Sequence, residues 1–119
     1  MKTYESQEQS TFFEWAEYIP ELKWAHAIPN GGRRDKKEAA NLKRQGVKAG
    51  VSDIFIPCPR GIYHGLYIEM KTKGGRLSEK QKEFLSYAKS NGYAVCVCYG
   101  AEDAINAAKE YIKLPNVLG

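Results

Sequence analysis

Two residues near the middle of the chain have types and spacing that could do chemistry. In the run IEMK, Glu69 and Lys71 are two positions apart. Because side chains alternate across a strand, both project from one face, while Ile68 and Met70 project from the other. A carboxylate and an ammonium at this spacing also form plain surface ion pairs, which contribute about 0 to 1 kcal/mol and are commoner across proteins. The ExK spacing alone is therefore weak evidence for a site.

A second acidic residue strengthens the case. Asp53 stands 16 positions before Glu69, near the start of a preceding β-rich run, and a hairpin would make the two residues cross-strand neighbours. Facing carboxylates repel each other unless a cation lies between them. Mg²⁺ is the simplest choice, because it prefers carboxylate oxygens at about 2.1 Å and keeps several waters. With Lys71 to orient a water or offset phosphorane charge, the set predicts phosphodiester hydrolysis.

Apolar periodicity and chain breakers predict the elements that position these residues. Their order is helix, strand, helix, strand, strand, helix, strand, helix, and we expect the last strand, the most apolar one, to be central and buried on both faces. The short second helix is basic, and a cap at its start and a glycine after it mark its ends. The predicted ranges are about Tyr4–Tyr18, Lys23–Ile28, Asp35–Gly46, Ser52–Pro57, Leu66–Lys71, Ser78–Ser90, Tyr93–Tyr99 and Ala101–Ile112.

Length and composition indicate an ordinary globular chain. Its 119 residues, 43% hydrophobic and 12% aromatic, predict a single domain over residues 1–119. No run approaches the ~20 apolar residues that span a bilayer, and the N-terminal residues do not resemble a signal peptide, so we expect a cytoplasmic protein with no membrane partner. The three cysteines lack CxxC spacing, which favours buried free thiols.

Charge is distributed unevenly along the chain. The net charge is +4, but residues 33–48 hold seven basic and two acidic residues, net +5, whereas residues 1–24 hold two basic and five acidic ones, net −3. A basic stretch beside an acidic one suits a protein that binds a polyanion and also holds cations. A solvated helix face explains the basic stretch equally well.

Several motifs together resemble a known family. GVSD, IEMK and LSEKQ, in that order, resemble the PD-(D/E)xK nuclease superfamily. IPNGG followed by RR, LKRQGVKAGVSDIFIP and GLYIEMKT resemble its VRR-NUC branch, in the small stand-alone form found in phages. The resemblance implies an α/β, restriction-endonuclease-like fold with an α-β-β-β-α-β core, a mixed sheet flanked by helices. Ser52 stands where the superfamily has its name proline, which shapes the strand entry and does no chemistry.

The resemblance also implies roles for individual residues. Asp53, Glu69 and the carbonyl of Met70 would be metal ligands, and Lys71 the catalytic lysine. The first-helix glutamate of the family falls on Glu5, which with Gln9 matches E-x-x-x-Q, and Glu8 is the alternative. Gln81 matches a glutamine near the metal or the scissile phosphate, although its position three after Ser78 also makes it a capping residue.

The predicted DNA contacts lie before the hairpin. The loop of Asn30, Gly31 and Gly32 is near the active site in this branch, and glycine amides can approach phosphate closely, although the loop could also be only a turn. His26 and His64 are expected to be structural or surface residues. Basic side chains that could position DNA by its phosphates are Arg33, Arg34, Lys36, Lys37, Lys43, Arg44 and Lys48.

The expected function is a divalent-metal-dependent DNA endonuclease that uses Mg²⁺, with Mn²⁺ able to substitute. The resemblance implies structure-selective, Holliday-junction-resolvase-like cleavage by a homodimer, in a phage or prophage protein within the bacterial cytoplasm. One alternative is a nicking, flap or end-trimming nuclease of phage replication or packaging. The other is a DNA-binding protein that keeps the fold and has lost catalysis.

Overall fold

Among the described residues, four α-helices and four strands form in the predicted order. The structure, a computed structural model, describes residues 4–29 and 35–118, without the side chains of residues 4 and 5. A short 3-10 helix at Pro20–Leu22 precedes the first strand. The elements are α1 (Tyr4–Ala16), β1 (His26–Ala27), α2 (Lys36–Arg44), β2 (Ile54–Ile56), β3 (Leu66–Lys71), α3 (Glu79–Ser90), β4 (Ala94–Tyr99) and α4 (Ala101–Ile112).

The strands form one mixed sheet in the order β1-β2-β3-β4. β1 and β2 are antiparallel, as are β2 and β3, so the predicted hairpin is present. β4 runs parallel to β3, and α3 supplies the crossover that two parallel strands require. Ile54 faces Ile68 in the hairpin register, which makes Asp53 the next residue in line with Glu69.

The two faces of the sheet are covered by different helices. On one face Ile54 and Ile68 are fully buried in the core cluster, together with Phe12 of α1 and Ala104 of α4. On the opposite face Tyr67 packs edge-on against Phe84 of α3, with ring centroids 5.0 Å apart. The alternation of side chains across β3 therefore directs Ile68 into the core and leaves the face of Tyr67, Glu69 and Lys71 to α3.

The expectation that Tyr93–Tyr99 is the central strand is wrong. β4 lies at the end of the sheet, and β2 and β3 are the two strands that pair on both sides. β4 contacts both α3 and α4, so helices flank it front and back although its outer edge has no strand partner among the described residues. The expected burial on both faces is also incomplete, because only Cys98 of β4 is buried and Tyr99 is exposed. Its apolar run reflects the contacts with helices on two faces and does not determine its lateral position.

Two of the predicted boundaries also differ. α1 ends at Ala16 rather than Tyr18, because the chain must become extended before Pro20. Ile19 has φ −110° and ψ 112°, which is the conformation that a following proline imposes. β1 contains two residues instead of six.

The loop between β2 and β3 is attached to α4. The hydroxyl of Tyr111 donates a hydrogen bond to the carbonyl of Cys58 at 2.6 Å, and burial raises the pKa of Tyr111 to about 12. Cys58, Cys96 and Cys98 are free, but only Cys98 is buried and the other two are half-buried. Cys96 and Cys98 lie on one face with their sulfurs 3.7 Å apart. In the described part of the chain, no helix has both the length and the apolar character to cross a membrane.

Candidate active site

The structure brings Asp53 and Glu69 together across the hairpin. Asp53 is half-buried, and its Oδ2 accepts a hydrogen bond from the backbone N–H of Met70 at 2.7 Å. Glu69 is only 1% exposed. The predicted cross-strand placement of the two carboxylates is therefore present, and a backbone contact holds the Asp53 carboxylate against β3.

Both roles considered for Gln81 are present in the fold. Its backbone N–H donates to Ser78 Oγ at 3.1 Å, and its Oε1 accepts from the N–H of Ser78 at 2.8 Å, which forms the capping box of α3. The remaining part of the amide, Nε2, donates to Glu69 Oε2 at 3.1 Å. Gln81 thus ties the first turn of α3 to the buried carboxylate, and the helix cap positions the amide for this contact.

Lys71 ends β3 two residues after Glu69 and is half-buried. Alternation places both side chains on the same face of the strand. A turn follows at once, closed by a hydrogen bond from Gly75 N–H to the carbonyl of Thr72 at 2.8 Å. A Cβ at Gly75 would lie 3.6 Å from Lys71 Cδ, so the turn passes beside the lysine stem. The ammonium is thus on the same face as the two carboxylates.

The loop predicted to approach the substrate begins next to Asp53. The N–H of Ile28 donates to the carbonyl of Asp53 at 2.8 Å, so the chain leaves β1 beside the site. Asn30, Gly31, Gly32, Arg33 and Arg34 lie outside the described residues. Their roles in DNA binding stay predictions.

One contact distinguishes Glu5 from Glu8, the two first-helix glutamates considered as metal ligands. Glu8 Oε1 accepts a hydrogen bond from the N–H of Ala101 at 2.7 Å. The N-cap residue of α4, Gly100, has no side chain to cap the helix, and Glu8 satisfies a free N–H and places a negative charge at the helix N-terminus. Glu8 therefore has a structural role, which favours Glu5 as the metal ligand, although the side chain of Glu5 is outside the described set.

The residue types at the site fit a magnesium ion. Within residues 6–29 and 35–118 there is no cluster of three or more histidine, cysteine or acidic side chains. Mg²⁺ does not require one, since it is commonly held by one or two carboxylates together with water and substrate phosphate. Asp53 and Glu69 supply that pair. The role of the Met70 carbonyl as a further metal ligand stays a prediction.

Three other predicted positions have simpler surroundings. The ring of His26 lies against Phe55 with centroids 5.9 Å apart, and that of His64 lies 5.4 Å from Tyr93. Ser52, at the proline position, is fully buried, and its hydroxyl has no hydrogen-bond partner among the described residues. The serine therefore follows the buried path into β2 that the resemblance assigns to proline.

Comparison with known proteins is consistent with this geometry. The family model of the VRR-NUC domain matches residues 2–102. The chain belongs to the VRR-NUC domain family. A solved structure described as a VRR_NUC domain protein is 32% identical, with a TM-score of 0.82, and the match covers 98% of this chain and 93% of that one. No curated protein matches the chain.

Membership in the VRR-NUC family implies nuclease activity and a DNA substrate. The fold agrees with the expected one, a mixed α/β structure of the PD-(D/E)xK type. The site residues Asp53, Glu69, Lys71 and Gln81 all fall inside the matched range.

One basic residue near the site, Lys80, is not among the DNA contacts predicted from the sequence. Lys80 adjoins Gln81 in the first turn of α3, and it lines one cavity together with Lys43 and Lys48. Lys80 is part of the run LSEKQ, but the capping pattern of that run involves only Ser78 and Gln81. Bringing Lys80 beside the basic segment requires the long-range packing described below.

Proposed function

We propose that this VRR-NUC protein is a divalent-metal-dependent DNA endonuclease with Asp53 and Glu69 as ligands of Mg²⁺, for which Mn²⁺ can substitute. The observation that carries the proposal is the opposed position of these two carboxylates in the hairpin, with Glu69 1% exposed. A carboxylate buried to this degree needs stabilising partners, and the hydrogen bond from Gln81 Nε2 to Glu69 Oε2 supplies one of them. A cation shared by both residues accounts for their placement.

The side chains of the site divide the work as follows. A bound Mg²⁺ supplies a Lewis acid for the phosphodiester and a water of lowered pKa. Gln81 holds Oε2 of Glu69 in place through its 3.1 Å hydrogen bond, and the Met70 amide holds Oδ2 of Asp53. Lys71 offsets negative charge that develops on the phosphate oxygens, because its side chain projects from the same face of β3 as Glu69.

The metal requirement is tested by incubating the purified protein with supercoiled plasmid and labelled linear duplex. We expect cleavage with Mg²⁺ or Mn²⁺ and none with excess EDTA, with recovery when Mg²⁺ is added back. Cleavage that continues undiminished in excess EDTA would exclude the metal mechanism. Binding without cleavage under every metal condition would favour the inactive DNA-binding alternative, against which the joint presence of Asp53, Glu69 and Lys71 argues.

The preferred substrate is proposed to be branched DNA, cut by a homodimer. The support for this step is the family resemblance to junction resolvases together with symmetry, since a two-fold dimer presents two equivalent sites to opposed strands. In such a dimer, one set of Asp53, Glu69 and Lys71 would act on each strand. The phage and cytoplasmic setting remains an expectation from the same resemblance.

A plasmid carrying a cruciform distinguishes paired cleavage from nicking. A dimer that makes both incisions in one binding event yields linear product directly, whereas independent nicking accumulates open circles first. Mixing the wild-type protein with an excess of Glu69→Gln protein should convert linear product into open circles, because heterodimers carry one active site. If the products do not change on mixing and light scattering gives a monomeric mass on DNA, the resolvase proposal is wrong and the nicking, flap or end-trimming alternative replaces it.

A further inference from the structure

Two adjoining cavities lie beside the N-terminal half of α3. The larger has a volume of about 380 Å³ and the smaller about 260 Å³. They form one groove, because Lys48, Ala49 and Lys80 line both of them. The larger cavity falls within the range of roughly 300–1,000 Å³ that is typical of small-ligand sites.

The larger cavity combines an apolar lining with positive charge. Its apolar residues are Ala39, Leu42, Val47 and Ala49, and three lysines line it as well, with no acidic residue among its lining residues. Apolar surface and ammonium groups at one site suit a ligand with a flat apolar part and an anionic part. A nucleotide has this combination, a base joined through its sugar to a phosphate.

The smaller cavity adds aromatic side chains to the groove. Phe84 and Tyr87 line it, together with Val51 and a single acidic residue, Glu83. Tyr87 is 65% exposed, so much of its ring is accessible. An accessible aromatic ring beside lysines is the arrangement by which proteins bind single-stranded nucleic acid, because every base can stack on a ring while its phosphate contacts a cation.

Long-range packing places the groove next to the active site. Gly50 has φ +93°, and a Cβ at this position would lie 2.5 Å from the carbonyl oxygen of Lys80. Only glycine allows the segment before β2 to pack this closely against α3. Asp53 is three residues beyond Gly50, which spans at most about 11 Å of extended chain, and Gln81 is the residue after Lys80.

We propose that this groove binds an unpaired segment of the substrate DNA strand adjacent to the scissile phosphate. A base stacks on the ring of Tyr87, and the strand phosphates contact Lys43, Lys48 and Lys80. The inference rests on the proposed nuclease function and specifies the part of the substrate that it recognises. Paired bases in a duplex have both faces covered by their neighbours, so only an unpaired base can present a face to Tyr87.

The test compares two labelled oligonucleotides by fluorescence anisotropy in EDTA, where the proposed reaction cannot proceed. One is a short oligothymidine, and the other has the same length and charge but several central abasic sites. We expect the wild-type protein to bind the intact oligonucleotide at least about fivefold more tightly, since stacking contributes roughly 1–3 kcal/mol per base. Equal affinity for the two oligonucleotides would overturn the proposal.

Matched variants assign the preference to the groove. Tyr87→Ala should remove most of the difference between the two oligonucleotides, whereas Tyr18→Ala should not, because Tyr18 is also exposed, at 84%, but lies among Glu14 and Glu17. Lys80→Ala should weaken binding of both oligonucleotides by the same factor, and Lys113→Ala should change neither. A Tyr87→Ala protein that keeps the full preference would contradict the proposal.

A further pair of variants and a parallel cleavage assay distinguish a loss of binding in the groove from misfolding and from a loss of catalysis. Ala49→Glu puts a carboxylate into the shared part of the groove, and it should weaken the intact oligonucleotide more than Ala40→Glu, a change on the neighbouring exposed face of α2. Equal effects of these two variants, with unchanged circular dichroism, would also count against the groove. Cleavage of duplex DNA in Mg²⁺ is measured alongside: cleavage without base preference refutes the groove alone, whereas no cleavage of any DNA refutes the proposed function.

Discussion

The β2–β3 hairpin and helix α2 both carry side chains predicted to act on DNA, yet the fold holds them differently. Glu69 is 1% exposed and is bound by Gln81, and Asp53 is bound by the Met70 amide. α2 has no buried residue, and Lys43 in α2 and Lys48 in the segment after it are exposed. The hairpin therefore provides groups in fixed positions, whereas α2 provides charge at a surface.

This difference predicts how each region responds to substitution. A group fixed in a site acts through geometry, so its loss removes activity almost completely. Exposed lysines that contact phosphates act through charge, so their loss lowers affinity in increments that depend on salt. Each of the following variants tests one side of this comparison.

The largest effect is expected for Glu69→Gln. The substitution should lower the cleavage rate by about 10³-fold or more, because a lost metal ligand removes several kcal/mol of transition-state stabilisation. Removing a buried charge should also leave the metal-free protein at least as stable, since the amide can still bond to Gln81. Rates on labelled duplex and thermal melting in EDTA measure both effects, and Glu79→Gln, at an exposed position of α3, is the control. A stable, fully active Glu69→Gln protein would show that Glu69 is not a metal ligand, and the contrast between the hairpin and α2 would then be wrong.

Lys71→Ala should give the next largest loss. We expect cleavage to fall by about 10²–10³-fold, the effect of removing one group that stabilises developing charge. Affinity for DNA should change little, and stability by no more than about 1 kcal/mol. Gel-shift assays in EDTA and urea denaturation separate these quantities from the rate. The exposed neighbour Lys73→Ala is the matched control, and near wild-type turnover of Lys71→Ala would show that Lys71 is only an ion-pair partner.

The double variant Lys43→Ala with Lys48→Ala tests the α2 side of the comparison. It should weaken DNA binding several-fold at moderate salt and reduce the slope of log K against log salt by about 2, or roughly 0.9 for each lost phosphate contact. The rate at saturating DNA and the melting temperature should stay close to wild-type values, because neither lysine is buried. The control is Lys109→Ala, in α4, combined with Lys113→Ala, at the C-cap of that helix. An unchanged salt slope would show that these lysines do not contact DNA.

The smallest effect concerns the attachment of the hairpin loop to α4. Tyr111→Phe removes the bond to the Cys58 carbonyl and should lower the free energy of unfolding by about 1 kcal/mol at neutral pH. Because folding raises the pKa of Tyr111 from 10.0 to about 12, the neutral hydroxyl contributes its full stability below pH 10 and loses it as pH rises toward 12. The variant should therefore lose less stability than wild type over that interval. Urea denaturation at both ends of the interval measures this, with Tyr18→Phe as control, and parallel pH curves would contradict it.

The amino-acid sequence determined those features that depend on near neighbours along the chain. Alternation in IEMK put Glu69 and Lys71 on one face and Met70 in the core. Capping by Asp35 and by Ser78 begins α2 and α3 where predicted, because the side-chain oxygens bond to N–H groups three residues ahead. Such contacts are local, so the residues that make them are visible in a short window of sequence.

The tertiary structure decided what depends on segments far apart in the chain. The apolar run of β4 indicates that helices pack on both of its faces. The position of β4 at the edge of the sheet depends instead on its pairing with β3. Glu8 caps a helix 93 residues away. The sequence spacing of Glu5 and Glu8 could therefore not show which of them has this structural role. In the same way, Lys80 joins Lys43 and Lys48 only because Gly50 packs against α3. Local patterns record burial and short-range hydrogen bonds, whereas contacts between distant segments form only when the whole core assembles.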